Sequence, residues 1–194
     1  MSTNSTFLLK DGIFLDSYDK MTENYVISDE NISACISAQN QKKVITELVK
    51  LLPPDVFFFI EIPLEDNEGK YQIYYLDNCT TEVALAIIKR YGDILFSDGL
   101  VRFGFGSHKG GDEVYMQSYQ VLSVYSPDEK RLKKAENIIA STGSKKVSEL
   151  LTLWDFLSEK NQSKLVTVEA NGETYYNIVE NLTDEGMYPD AVVD

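Results

Sequence analysis

The segment DVFFFIEIPLE, residues 55–65, restricts the architecture more than any other stretch of the chain. Strict alternation puts Val56, Phe58, Ile60, Ile62 and Leu64 on one face and Phe57, Phe59 and Glu61 on the other. A strand apolar on both faces belongs inside a sheet, with helix covering at least one side. Pro63 has no N–H for the ladder, so it marks the strand's end or an edge. The polar turn EDNEGK and the run YQIYYL, residues 71–76, then supply an antiparallel partner.

Helical periodicity surrounds this hairpin. Val44, Ile45, Leu48, Leu51 and Leu52 recur at helical spacing from Gln39 until Pro53-Pro54 stops the run. Ala84, Ile87, Ile88 and Tyr91 predict a second helix, with Gly92 near its end. The strand LVRFGFG follows, then a glycine-rich loop and the long strand EVYMQSYQVLSVY. Ser126-Pro127-Asp128-Glu129 reads as a capping box with Ser126 at the N-cap, opening a helix with Leu132, Ala135 and Ile139 inward. A further helix from Ser144 is expected from Val147, Leu150, Leu151, Trp154 and Leu157. Asn171-Gly172 then predicts a closing hairpin, LVTVEA-NG-ETYYNIV. Hairpins between helices imply an α+β fold, an antiparallel or mixed sheet built from β-hairpins with helices packed on it. Residues 1–143 form the main domain, and 144–194 a C-terminal helix and hairpin packed on it.

Charge narrows the partner. The 194 residues carry 31 acids against 18 bases, a net charge of −13, and residues 165–194 hold seven acids and no Lys or Arg. Such a surface repels a phosphate backbone, which argues against nucleic acid and suits a basic protein. No run approaches the roughly 18 apolar residues of a membrane span, and the N-terminus lacks a basic start followed by an apolar stretch. The expected compartment is the cytoplasm. Cys35 and Cys79, 44 positions apart, fit no metal or redox motif and are expected as buried thiols.

Chemistry-bearing residues gather in FGFGSHKGGDEVYMQSYQ, residues 103–120, which contains the single histidine. Gly106 and Gly111 have P-loop spacing, but Asp112 and Glu113 stand where Lys and Ser or Thr are required. The loop reads as a hairpin turn using Gly110-Gly111 for positive φ. Gly104 and Gly106 leave one strand face bare, with room for a crossing element or partner. Ser107, His108 and Asp112 could be assembled into a hydrolase-like set, yet neighbouring strand residues point to opposite faces. No metal or cofactor motif is written, so none is expected. Tyr115, Tyr119 and Tyr125 share a face with Gln117 and Ser123, and Tyr71 and Tyr75 share one in the earlier hairpin. Tyrosine beside acids offers a partner rigid apolar area with polar tips.

The segment YGDILFSDGLVRFGFGSHKGGDEVYMQSYQVLSVYS resembles small acidic immunity proteins of bacterial polymorphic-toxin systems. The likeness covers residues 40–126 and rests on the helix–hairpin–helix–hairpin order and the G-x-G-S-H…D-E-V pattern. It implies a non-enzymatic inhibitor that neutralises a basic toxin domain by covering its active site. The expected contact residues are Asp112, Glu113, Tyr115 and Tyr119, followed by the acidic C-terminal tail. The alternatives are a hydrolase-like enzyme using His108 with a nearby carboxylate, and a general protein-interaction domain.

Overall fold

The computed structural model describes residues 6–65 and 69–194, so the centre of the EDNEGK turn lies outside the described residues. The chain runs β1 (Ile13–Leu15), β2 (Asn24–Ser28), β3 (Asn31–Cys35), α1 (Ala38–Val49), β4 (Val56–Pro63), β5 (Tyr71–Cys79) and α2 (Thr81–Leu95). It continues through β6 (Arg102–Ser107), β7 (Asp112–Met116), β8 (Val121–Tyr125), α3 (Glu129–Ala140), β9 (Lys145–Lys146), β10 (Ser163–Leu165), α4 (Tyr175–Thr183) and β11 (Tyr188–Val193). One nine-stranded sheet is ordered β11-β5-β4-β6-β7-β8-β3-β2-β9, and β1 pairs with β10 separately. All neighbours are antiparallel except β2 and β9. This is an α+β fold with helices packed on a mixed sheet.

The two-faced strand is β4, and it lies between β5 and β6. Cross-strand register lines up Phe58, Phe105, Val114, Val124 and Ile32 in one row and Ile60, Phe103, Met116, Leu122 and Ala34 in the next. Both rows are buried and face the helices. The helices lie in the order α4, α2, α1, α3, and Val44, Ile45 and Leu48 of α1 fill the middle of the layer. A second, smaller core of Phe7, Ile13, Leu15, Met21, Cys35, Tyr119 and Leu153 covers part of the other face. Cys35 alternates with the helix-facing Ala34 and so places this core on the opposite side of β3. Both cysteines are free and buried, and burial pushes the Cys35 thiol up to about 12.

Several local expectations are overridden by tertiary bonds. The long strand after the glycine loop breaks at residues 117–120, because Tyr119 and Gln120 take positive φ (55° and 64°) and turn β8 back on β7. Gln120 is fully buried; its side chain accepts from the Lys10 N–H (2.8 Å) and donates to the carbonyls of Leu8 (3.1 Å) and Ile36 (2.9 Å). Residues 144–157 do not form the expected α-helix. Lys145 and Val147 donate to backbone carbonyls of Glu23 and Tyr25, and the Asn24 amide clasps both backbone groups of Leu151. A 3-10 turn, Leu153–Phe156, buries Leu153 and leaves Trp154 exposed. The Asn171-Gly172 turn forms, with Ala170 bridged to Glu173, but a helix follows it instead of a strand. Thr174 and Asn177 make a capping box there, and Tyr175, Ile178 and Leu182 share one buried face. Asp128, not Ser126, caps α3.

Two consequences are measurable. Gln120→Leu strands one N–H and two carbonyls in the interior, and is expected to lower stability by about 2–4 kcal/mol in urea unfolding. Lys10 is buried, and burial pushes its ammonium down to about 8 from 10.5 although Asp98 pulls it up. Below pH 8 both folded and unfolded chains hold this proton; between 8 and 10.5 only the unfolded chain does, so the Lys10 contribution to stability rises with pH across that window. Relative to Lys10→Met, which shares every other titrating group, the parent should gain roughly 3 kcal/mol between pH 8 and 10.5.

Candidate functional site

On the face away from the helices, the register produces two further rows. One reads Phe57, Gly106, Glu113, Tyr125 and Asn31 across β4, β6, β7, β8 and β3. The other reads Tyr188, Tyr75, Phe59, Gly104, Tyr115 and Ser123 from β11 to β8. The glycines are not an empty strip. A Cβ on Gly106 would stand 2.2 Å from Cζ of Phe57, and one on Gly104 2.4 Å from Cζ of Phe59. The phenylalanine rings of β4 therefore lie across β6, in the space those side chains would fill.

The result is a continuous aromatic surface. Phe57 and Phe59 each lie 5.9 Å from Tyr75, Phe59 lies 5.2 Å from Tyr115, and Tyr75 lies 6.3 Å from Tyr188, centroid to centroid. Phe59 is buried beneath its neighbours, Phe57, Tyr75 and Tyr115 are half-buried, and Tyr188 and Tyr125 are exposed. Ring contacts of this kind favour tilted and edge-on arrangements, and all four pairs are tilted or edge-on.

Polar groups rim the rings. Buried Glu61 accepts from the Tyr115 hydroxyl (2.9 Å) and from Arg102 (3.4 Å), whose guanidinium also stacks on Tyr71 at 3.7 Å. Burial and then Glu61 hold the Tyr115 phenol well above its ordinary range. At the other end, Asp77 accepts from Tyr188 (2.6 Å) and pairs with Nε2 of His108 (3.0 Å). The Tyr188 bond, then the His108 bond, lower the Asp77 carboxyl. The His108 ring stacks on Phe57 at 4.6 Å. Beside them a shallow hollow of about 300 Å³ is lined by Phe57, His108, Gly111, Glu113 and Tyr125, among others.

The four expected contact residues divide between the two faces. Glu113 and Tyr115 lie on the open face. Asp112 alternates onto the helix side, where it is 3% exposed; Arg131 donates to both its oxygens (2.7 and 2.8 Å) and Ser126 donates to one. Tyr119 is carried into the second core by the break before β8, and its hydroxyl meets Ser163. The acidic tail is folded as α4 and β11, and Glu173 pairs with Arg90; burial, then Glu113 and Asp190, raise the Tyr75 phenol, and the Asp77 bond, with a smaller push from Asp190, raises that of Tyr188. The supposed Ser107–His108–Asp112 set does not converge. Ser107 is buried and donates to Pro54, while His108 turns to Asp77 on β5. Among the described residues, no three His, Cys, Asp or Glu side chains gather as metal ligands would, and no helix is long and apolar enough to cross a membrane.

Phe57, Tyr75, Asp77 and Tyr188 complete the face. Strand alternation already placed Phe57 and Tyr75 away from Phe58 and Tyr74. Asp77 and Tyr188 carried no signal, since each depends on a partner in a distant segment. Comparison with protein-family models, with curated proteins and with solved structures finds no match.

The ring-over-glycine packing is testable by a double-mutant cycle. Gly106→Ala is expected to cost about 1–3 kcal/mol by forcing Phe57 aside. In a Phe57→Ala background the same change should cost clearly less, leaving only the close approach to the Asp112 carbonyl at 3.0 Å, as read by thermal or urea unfolding.

Proposed function

We propose that this chain is a non-enzymatic cytoplasmic binding protein that holds a basic partner protein against its open sheet face, as an immunity-type inhibitor covers a toxin's active site. The observation that supports this reading is the aromatic surface of Phe57, Phe59, Tyr75, Tyr115 and Tyr188, bordered by Glu113, Asp77 and Asp190, on the sheet face opposite the helices. Tyrosines packed on a rigid sheet lose little freedom on binding and present both a ring and a hydroxyl. Surrounding carboxylates and a net charge of −13 speed encounter with a cationic surface and repel a second copy of the chain. A hydrolytic role for His108 has less to draw on. One ring nitrogen is held by Asp77, and the hydroxyl adjacent in sequence, Ser107, is buried on the other side of the sheet.

The test is affinity capture from the native host, followed by stopped-flow association with the captured protein. The partner is expected to be basic, and Glu113→Lys should slow association about tenfold at low ionic strength, with the gap closing as salt is raised. Glu47→Lys, a reversal of equal size on the exposed side of α1, should change the rate little. Equal effects of the two reversals, or an acidic partner insensitive to both, would remove the open face from consideration.

A further inference from the structure

The carboxylates around the open face differ in one respect. Glu61 is bonded to Tyr115 and Arg102, Asp77 to His108 and Tyr188, and Glu30 to Tyr125, while on the helix side Asp112 is bonded to Arg131 and Ser126. Glu113 carries no hydrogen bond or ion pair among the described residues, although it is half-buried in the wall of the hollow. Its cross-strand neighbours are Gly106, under the Phe57 ring, and Tyr125. Phe57 and Tyr125 stand three strands apart, about 14 Å at the usual strand spacing, with the Glu113 carboxylate between them. Phe57 is extended by the stacked His108 ring into a broad wall.

We infer that this hollow is the seat for an arginine side chain of the partner, its guanidinium paired with Glu113 and lying against the Phe57–His108 wall. This rests on the binding role proposed above and names the chemistry that its centre would recognise. A planar guanidinium matches a carboxylate with two parallel donors and stacks on aromatic faces, which a compact ammonium does less well. The hollow's volume, at the lower limit of small-molecule sites, suits one side chain. Burial, then the charge of Glu61, raises the Glu113 carboxyl, so an arriving cation relieves a strain that no neighbour within the chain relieves.

The experiment is an NMR titration of the ¹⁵N-labelled full chain with N-acetyl-arginine methylamide, and with the lysine and citrulline counterparts. Saturable shifts are expected at the amides of 106–113 and 125, with at least fivefold weaker binding of the neutral citrulline compound and weaker binding of the lysine compound. Glu113→Gln should weaken arginine binding at least fivefold while leaving the rest of the spectrum in place, and Glu149→Gln, exposed in the segment between β9 and the 3-10 turn, should leave it unchanged. Equal binding of arginine and citrulline or of arginine and lysine, or shifts spread over the acidic surface and indifferent to Glu113→Gln, would overturn the assignment. The titration needs no partner, so it can fail while capture succeeds, or succeed while capture fails.

Discussion

Two phenylalanines of β4 lie across the glycines of β6, and the open half of the sheet is organised by that contact. Helices cover the other side of the same strands, so Phe58 and Ile60 are buried by α1 and α2, whereas Phe57 and Phe59 have no helix to bury them. Gly104 and Gly106 remove the side chains that would hold the rings upright in water. Each glycine weakens the strand by roughly 0.5–1 kcal/mol, and burying most of a phenylalanine returns about 1.5–3 kcal/mol, so the exchange favours the folded sheet. Once the two rings are down, Tyr75 and Tyr115 pack on Phe59, and Tyr188 extends the layer through Tyr75.

The opposite side of β7 is fixed by charge. Asp112 is among the least exposed acids of the chain, and Arg131 reaches it from the first turns of α3, tying the helix layer to the β6–β7 hairpin. Its direct neighbour Glu113 points the other way and is unpaired. The adjacent acids thus divide structural and surface roles by strand alternation alone. Gln120 performs a comparable task at the far end, where its three hydrogen bonds join the N-terminal segment to β3. Its positive φ is sustained because those groups are buried and have to be satisfied.

What could be read from the sequence was local. The two faces of β4, its hairpin with β5, the stripes of α1, α2 and α3 and the turn before β7 all follow from periodicity and turn chemistry within about fifteen residues. The failures came where distant backbone partners decided the outcome. Tyr119 and Gln120 have no residue-type signature for left-handed backbone, so β7 and β8 read as one strand and Tyr119 as a surface residue. Val147 to Leu157 have helical spacing but do not form an α-helix: Val147 and Leu151 are bonded to Tyr25 and Asn24, and Trp154 lies in a 3-10 turn. Half of the face was legible through Glu113 and Tyr115. Asp77 and Tyr188 were not, since β11 joins β5 across more than a hundred residues.

An aromatic sheet face partly open to water is normally an invitation to self-association. Here the distribution of charge opposes it: a second copy would bring Glu113, Asp77 and Asp190 against themselves. The free edge at β11 carries Pro189 and Asp190, which also discourage strand addition. The same features that disfavour another copy suit a surface of opposite sign. In the proposed binding role the rings would supply area without much entropy cost, the rim would select charge, and the unpaired carboxylate at the hollow would give that selection a fixed point. Under the binding role proposed above, the occupant that suits this face is a cationic protein surface with a projecting side chain.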